Sequence, residues 1–217
     1  MSDTNTPISA EHFRYLAAHT LQEDAFLREL SHAAKQAGIP SIAIPHEQAS
    51  FMQVLLKLCR ARDVVEVGAL AGYSAIAMAR ALPAEGRVRT IEICPAYADF
   101  AERWIARSDV AGRIEIYRGA GQDILPTFAD DSADAAFLDA DKANYPLYLR
   151  ESLRIVRRGG LIMVDNAFAF GQLLDEQATD AKVPAVRAFN DLMARETGLH
   201  SIIVPFTDGC WIAVKLS

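Results

Sequence analysis

Residues 64–79 read VVEVGALAGYSAIAMA, and this stretch combines a strand pattern, a glycine loop and a helix pattern. Three valines around Glu66 form a short apolar run of the kind found in buried strands. Gly68 and Gly72 interrupt it, and SAIAMA continues with helix-forming residues. The stretch therefore predicts one strand–loop–helix unit, which is the building block of α/β proteins.

The same alternation continues along the chain. Four more apolar runs follow, RVRTIEI, RIEIYRG, AAFLDA and GLIMVD, and the helix-like stretches AYADFAERWIAR and YPLYLRESLRIVR lie among them. Repeated units of this kind predict a Rossmann-like α/β fold, with a doubly wound, mostly parallel sheet and helices on both faces. Near the end, HSIIVPF and CWIAVKL flank the turn TDG, which predicts a C-terminal antiparallel hairpin.

Helical patterns also precede the first strand. Apolar residues recur at helical spacing from Phe13 to Leu30 before Gly38 and Pro40 end the pattern, and a further helix is predicted from Glu47 to Cys59. We expect these extra N-terminal helices, within residues 1–60, to cover the site or a dimer interface. Because no repeat or long linker interrupts the chain, residues 1–217 are predicted to form a single domain.

The composition is that of a globular protein. Of 217 residues, 51% are hydrophobic and 23% are charged, and the formal net charge of -6 disfavours nucleic acid as the main partner. Three widely spaced cysteines favour reduced thiols packed in the core. The N-terminal stretch MSDTNTPIS lacks an export-signal pattern, and no run approaches ~20 apolar residues. We therefore expect a cytoplasmic protein that does not span a membrane.

The first loop favours one class of ligand over another. Ligands of open α/β sheets bind beyond the carboxyl ends of the strands, where glycines such as Gly68 and Gly72 let the backbone approach them. A dinucleotide fingerprint would require glycine at the positions of Leu70 and Tyr73, which argues against NAD. A tight strand-to-helix turn alone would also use glycine, so the loop by itself leaves both interpretations open.

Three further features indicate an adenosine that carries an amino acid. Glu66 and Ser74 flank the loop and suit a ligand with an amino group and a carboxylate. Glu92 ends the second strand about 24 positions after Gly68, near the spacing at which an acid binds ribose hydroxyls, although a glutamate there is often only solvated. Residues 119–121 read GAG and leave room for a flat base. Together these features predict S-adenosylmethionine (SAM).

Two strand ends are acidic. AFLDADKANY (136–145) places Asp139 after one strand, and LIMVDN (161–166) places Asp165 and Asn166 after the next. If the strands are neighbours, these side chains offer three hard oxygen ligands, which suit Mg²⁺, Mn²⁺ or Ca²⁺. A cation there would acidify a phenolic hydroxyl, and Lys142 would accept its proton.

Simpler roles compete for part of this cluster. Asp139 or Asp141 would cap the helix that begins near Asn144, and Lys142 would be solvated. We favour the cap for Asp141, and metal binding for Asp139 together with Asp165 and Asn166.

The motifs resemble those of a known family. VVEVGALAGYSAIAMA, TIEICP, GAGQDILP, FLDADKANY and GGLIMVDN, with AVRAFN and TDG more weakly, are similar in sequence and order to the class I, SAM-dependent O-methyltransferases related to caffeoyl-CoA and catechol O-methyltransferases. The matching region runs from about Ile44 to Lys215.

The resemblance implies a role for individual residues. The cofactor-binding residues would be Ile44, Glu66, Gly68, Ala69, Ser74, Glu92, Gly121 and Asp139. The metal ligands would be Asp139, Asp165 and Asn166, and Lys142 with Asp139 would be catalytic. The resemblance also implies a homodimer in which the N-terminal helices form part of the interface.

The acceptor is less well defined than the cofactor. The leading hypothesis is a hydroxyl of a small aromatic, catechol-like compound, because vicinal oxygens chelate a cation; the alternative is 5-hydroxyuridine in tRNA, and a third is a binding protein without catalysis. Ala49 stands where relatives commonly have glycine, and AFAFG (167–171) replaces a stretch that contacts the acceptor in plant members. Within AFAFG, Phe168 and Phe170 predict an aromatic wall of the acceptor pocket.

Overall fold

A computed structural model describes residues 7–216. Residues 1–6, part of the N-terminal stretch in which we found no export signal, lie outside this range. Within it, one sheet contains seven strands: β1 (Asp63–Val67), β2 (Arg87–Glu92), β3 (Ile114–Arg118), β4 (Ala133–Leu138), β5 (Val156–Val164), β6 (Leu199–Val204) and β7 (Cys210–Lys215). The helices are α1 (Ala10–His19), α2 (Ala25–Gln36), α3 (His46–Leu58), α4 (Tyr73–Ala81), α5 (Pro95–Arg107), α6 (Gly121–Ile124), α7 (Tyr145–Ile155) and α8 (Lys182–Arg195).

The strand order is β3-β2-β1-β4-β5-β7-β6. Strands β1 to β5 are parallel to one another, whereas β7 is antiparallel to both β5 and β6. This topology confirms the Rossmann-like α/β class and the C-terminal hairpin. The chain runs outward in both directions from β1 and β4, so the crevice for a ligand is expected beyond their carboxyl ends.

Successive strand residues belong to different cores, because their side chains point to opposite faces of the sheet. Val64 belongs to the core that also contains residues of α2 to α5, whereas Val65 belongs to the core that contains residues of α7 and α8. This double burial explains why the parallel strands are apolar runs rather than alternating patterns.

Some boundaries differ from the predictions. The sequence pattern predicts a helix around Val186 to Arg195, but helix α8 begins four residues earlier, at Lys182, because Val183 also packs in a small apolar cluster. The four-residue helix α6 was not predicted, since so short a segment shows no periodicity. None of the three cysteines forms a disulfide; Cys210 is buried as expected, but Cys59 and Cys94 are only half-buried. No helix in residues 7–216 is long and apolar enough to cross a membrane.

Candidate functional site

A cavity of about 600 Å³ opens at the carboxyl ends of the central strands. It is bounded by residues 42–44 and by the loops that follow β1 to β5. The predicted site residues that line it are Ile44, Gly68, Ala69, Ser74, Glu92, Gly121, Asp139, Lys142 and Asn166. Glu66 and Asp165 are buried and do not line it. The structure thus brings most of the predicted set to one cavity.

Close packing against the neighbouring strand end requires glycine at position 68, in addition to the approach of any ligand. Its φ is +104°, and a Cβ at this position would lie 2.1 Å from the backbone oxygen of Asp139. The glycine loop and the first acidic strand end therefore pack directly against each other. Sequence reasoning explained Gly68 by the approach of a ligand and missed this contact.

Glu92 is fixed at the cavity wall by two backbone donors. Its Oε2 accepts a hydrogen bond from the N–H of Leu70 (2.7 Å), and its Oε1 accepts one from the N–H of Cys94 (2.8 Å). Leu70 has a φ of +48°, so this position of the loop has the left-handed conformation that glycine favours. The carboxylate keeps free lone pairs that would accept hydrogen bonds from ribose hydroxyls.

Glu66 is a buried carboxylate on β1. Neither oxygen forms a hydrogen bond of good geometry with any residue in the range 7–216. Burial raises its pKa to about 7, although the nearby hydroxyls of Ser74 and Thr90 act in the opposite direction. An unpaired carboxylate behind the cavity-lining Ser74 fits the positively charged amino group of SAM.

The structure corrects the expected role of Asp141. It forms no side-chain cap; instead its carboxylate accepts hydrogen bonds from the hydroxyl of Tyr148 (2.6 Å) and the amide of Asn144 (2.5 Å), and it lines the cavity. Tyr148 in turn packs on Gly121, where a Cβ would lie 2.8 Å from both the tyrosine ring and Val67. Asp141 is therefore part of the cavity wall.

Lys142 is buried, so the solvated alternative is wrong. Its Nζ donates hydrogen bonds to Asp139 Oδ1 (3.0 Å) and to the hydroxyl oxygen of Tyr145 (2.6 Å). Burial and then the charge of Asp139 raise the pKa of Tyr145 well above its ordinary value, which keeps the phenol protonated. Sequence reasoning missed Tyr145 because a helix-start tyrosine resembles any core aromatic residue.

The two acidic strand ends are neighbours, as predicted. Strands β4 and β5 pair in parallel, and the N–H of Asp165 donates to the backbone oxygen of Leu138 (3.0 Å). The carboxylate of Asp165 is buried, and burial together with the negative charge of Asp139 raises its pKa. Asp139 and Asp165 thus bring two repelling carboxylates together beside the cavity.

Two residues missed by sequence reasoning hold the second strand end. Gln48 is buried on α3; its amide donates to Asp165 Oδ1 (2.8 Å) and its oxygen accepts from the hydroxyl of Thr207 (2.8 Å). Asp208 accepts from the amide of Asn166 (3.1 Å), which leaves the Asn166 carbonyl oxygen available to a cation. Gln48 belongs to no local pattern that marks it as part of a site, and Asp208 was identified only as part of the TDG turn.

The predicted metal set contains two carboxylates and one amide. Across residues 7–216, no three His, Cys, Asp or Glu side chains come together in a metal-binding arrangement. The fit of a cation therefore rests on the oxygen donors of Asp139, Asp165 and Asn166 and on the raised pKa of Asp165.

The predicted aromatic wall is half confirmed. Phe170 lines the cavity, whereas Phe168 packs against Gly209, where a Cβ would lie 2.9 Å from its ring. Asp208 accepts hydrogen bonds from the N–H groups of Phe170 (2.8 Å) and Gly171 (3.0 Å), which fixes this turn. Lys182, the first residue of α8, also lines the cavity.

The chain is similar in sequence to known proteins. The family model described as O-methyltransferase matches residues 17–216. A catechol O-methyltransferase from Niastella koreensis is 38% identical over 185 residues, which cover 84% of each chain. A catechol O-methyltransferase from Mycobacterium tuberculosis is 35% identical over 190 residues, which cover 88% of this chain and 86% of that protein.

Solved structures have the same fold. TomG from Streptomyces achromogenes, an O-methyltransferase involved in tomaymycin synthesis and solved in complex with SAM, has a TM-score of 0.84 and 32% identity, with 94% of this chain and 95% of that chain covered. The O-methyltransferase from Bacillus cereus in complex with SAH has a TM-score of 0.86 and 31% identity, with 93% and 96% covered. The chain therefore belongs to the O-methyltransferase family and is a SAM-dependent O-methyltransferase.

Proposed function

We propose that the protein transfers the methyl group of SAM to a hydroxyl of a small aromatic acceptor with vicinal hydroxyls, with the help of a divalent cation. One observation carries this proposal: Asp139, Asp165 and Asn166 meet at the tips of β4 and β5, beside Lys142 and next to the cavity that holds the candidate cofactor residues. The relatives named catechol O-methyltransferase support the acceptor class.

Different candidate cofactor residues would bind the three parts of SAM, which are the methionine part, the ribose and the adenine. Glu66 would pair with the amino group, while Gly68, Ala69 and Ser74 would surround the rest of the methionine part. Glu92 would accept hydrogen bonds from the ribose hydroxyls. Gly121 would lie against the adenine, and the backbone of Ile44 would contact the cofactor from the opposite wall. Asp139 lines the same cavity, and its backbone oxygen packs against Gly68.

The oxygen donors determine the class of cation. Carboxylate and amide oxygens suit Mg²⁺, Mn²⁺ or Ca²⁺ better than Zn²⁺. A cation bound by Asp139, Asp165 and Asn166 would relieve the repulsion that raises the pKa of Asp165. When bound, it supplies oxyanion stabilisation and lowers the pKa of a coordinated hydroxyl.

Lys142 is the candidate general base. Its Nζ lies 3.0 Å from Asp139 Oδ1, so a proton that leaves the acceptor hydroxyl has a nitrogen at hand beside the proposed ligand. Lys142 Nζ would take up this proton, the acceptor oxygen would attack the methyl carbon, and the sulfonium C–S bond would break in line. The hydroxyl of Tyr145, held by Lys142, fixes the position of the amine.

The N-terminal helices support the predicted homodimer. Helix α1 has no buried residue, and Tyr15 and Leu16 on it are exposed. We infer that a second copy covers this surface; light scattering that finds only monomers at micromolar concentration would contradict this. The single domain over residues 1–217 and the cytoplasmic location remain predictions.

The test is a methylation assay with purified protein, SAM, Mg²⁺ and a panel of catechols, read out by mass spectrometry with and without a chelator. We expect a methylated catechol that disappears on chelation and returns with added cation. A rate unaffected by chelation would exclude the cation. A parallel assay with tRNA tests the alternative acceptor. The charge of the cavity lining does not favour tRNA, because the lining contains three acidic residues and two lysines: Glu92, Asp139, Asp141, Lys142 and Lys182.

A further inference from the structure

The cavity wall beyond Asn166 combines an aromatic ring with two lysine side chains. The ring centroid of Phe170 lies 5.9 Å from Lys142 Nζ and 5.3 Å from Lys182 Nζ. Phe170 is 43% exposed, so one part of its ring remains accessible to a ligand. Lys142 lies at the end of this wall where the proposed reaction takes place. Lys182 is the second lysine near the Phe170 ring.

The charged side chains that line the cavity differ in whether they have hydrogen-bond or ion-pair partners. Lys142 is bonded to Asp139, Glu92 to two backbone N–H groups, and Asp141 to Tyr148 and Asn144. The side chain of Lys182 is exposed, and its Nζ has no carboxylate within 4 Å among residues 7–216. Asp180, the nearest acid in sequence, accepts a hydrogen bond from the backbone N–H of Lys182 instead. Lys182 is therefore the cavity-lining charge that the proposed reaction leaves without a role.

The spacing of the two lysines suits an acceptor with a negative charge. The two distances to Phe170 limit the separation of the ammonium nitrogens to about 11 Å. A dihydroxyphenyl ring stacked along Phe170, with its hydroxyls at Asp139 and Lys142, would direct a substituent on its far side towards Lys182. A carboxylate attached to that side of the ring would lie within this limit.

We propose that Lys182 selects acceptors whose aromatic ring carries an anionic substituent opposite the reacting hydroxyls, that is, dihydroxylated aromatic acids. This inference rests on the proposed function, because the proposed reaction fixes where the hydroxyls lie. Lys182 acts on affinity for the acceptor and leaves the chemical step to Asp139 and Lys142. An ion pair partly shielded by Phe170 favours the acid by about fivefold to tenfold.

The test compares two acceptors that share a ring and differ in charge, 3,4-dihydroxybenzoate and 3,4-dihydroxybenzyl alcohol. Initial rates with SAM and Mg²⁺ are measured for the wild type, Lys182→Met and Lys57→Met, the last a control at an exposed lysine on α3. We expect Lys182→Met to lower kcat/KM for the acid by about fivefold to tenfold through KM, and to change that for the alcohol by less than about twofold. Lys57→Met should leave both unchanged.

The outcomes separate this inference from the proposed function. If the wild type methylates the alcohol but Lys182→Met lowers kcat/KM for both acceptors by the same factor, only the role of Lys182 is overturned. A wild type that prefers the alcohol to the acid overturns it as well. If the wild type methylates neither acceptor nor any other catechol, the proposed function fails and this inference fails with it.

Discussion

The cavity has two ends that are held in place in different ways. In the proposed function, the part lined by Gly68, Glu92 and Gly121 would hold the cofactor, and we call it the cofactor end; the part next to Asp139, Asp165 and Asn166 would hold the acceptor, and we call it the acceptor end. The cofactor end uses the loops that follow β1, β2 and β3, and Glu92 is bonded to backbone groups of its own and the adjacent loop. The acceptor end depends on partners that are remote in sequence.

The contacts of Gln48 illustrate this difference. It lies 117 positions before Asp165 and 159 positions before Thr207, yet it is bonded to both. The acceptor end therefore forms only when the N-terminal helices and the β6–β7 turn are packed against the sheet. Strand-end motifs thus locate both ends, whereas long-range hydrogen bonds fix the geometry of one of them.

The largest effect on stability is expected where the two ends touch. In Gly68→Ala, a Cβ would lie 2.1 Å from the backbone oxygen of Asp139, and the φ of +104° would be strained as well. We expect a loss of about 3 kcal/mol or more in the free energy of unfolding, measured by urea denaturation. Gly38→Ala is the control, because Gly38 also has a positive φ (+77°) but no atom within 4 Å. Equal losses in the two variants would show that strain, rather than the contact between the ends, matters.

Removing the hydrogen bonds of Gln48 should affect the acceptor end alone. Gln48→Leu leaves Asp165 Oδ1 without its buried donor, and we expect the affinity for Mn²⁺ to fall about tenfold to 100-fold, since partners of metal ligands commonly contribute that much. Electron paramagnetic resonance measures the affinity, and calorimetry should find SAM binding nearly unchanged. Gln53→Leu is the control, because Gln53 lies on the same helix and bonds only the backbone oxygen of Ala77. A comparable loss in the control would contradict a specific role.

Glu66 gives the cofactor end a pH dependence. Because burial raises its pKa to about 7, the folded apoprotein binds a proton that the unfolded chain releases near its ordinary value of 4.5. Its contribution to stability is therefore present at low pH and is lost as the pH rises towards 7, by up to about 3 kcal/mol. We expect Glu66→Gln to lose less stability than the wild type between pH 5 and pH 8.

Urea denaturation at the two pH values measures this difference, and the exposed Glu85→Gln serves as the control. Saturating SAM should reduce the difference, because its amino group would pair with the ionised carboxylate. Identical pH dependence in Glu66→Gln and the wild type would argue against the raised pKa.

The smallest effect is expected at the wall of the cofactor end. Tyr148→Phe removes the hydroxyl that donates to Asp141, but Asn144 continues to hold that carboxylate. We expect the Kd for SAM to rise by about twofold to threefold, consistent with the loss of one partly exposed hydrogen bond. Tyr117→Phe, on β3 and packed against Phe128, is the control for loss of a tyrosine hydroxyl away from the cavity. A change above tenfold would mean that Asp141 is more important for the cofactor than this geometry implies.

The sequence predicted the fold and the location of the site well, for a physical reason. Buried parallel strands are apolar runs, and polar residues at their carboxyl ends are visible as breaks in that pattern, which is why Gly68, Glu92, Asp139 and Asp165 were identified. The hairpin was equally clear from its two β-rich runs around a turn.

Long-range contacts could not be predicted in the same way. Gln48 lies in the first turn of α3, and only the folded structure shows that its amide bonds to Asp165. Asp141 illustrates the opposite error, since a local rule for helix caps was applied to a side chain whose partner, Tyr148, lies two helical turns away. Sequence patterns identify strand ends, but they do not identify which remote side chain bonds to them.

The most direct test of the separation between the two ends is Asp165→Ala, measured for three quantities at once. We predict that the variant loses Mn²⁺ binding and at least about 10³-fold in turnover, because one buried carboxylate of the proposed ligand set is gone. We also predict that its Kd for SAM stays within about twofold of the wild type, since Asp165 does not line the cavity. A variant that still binds Mn²⁺ and turns over, or one that loses SAM binding together with Mn²⁺, would contradict the account.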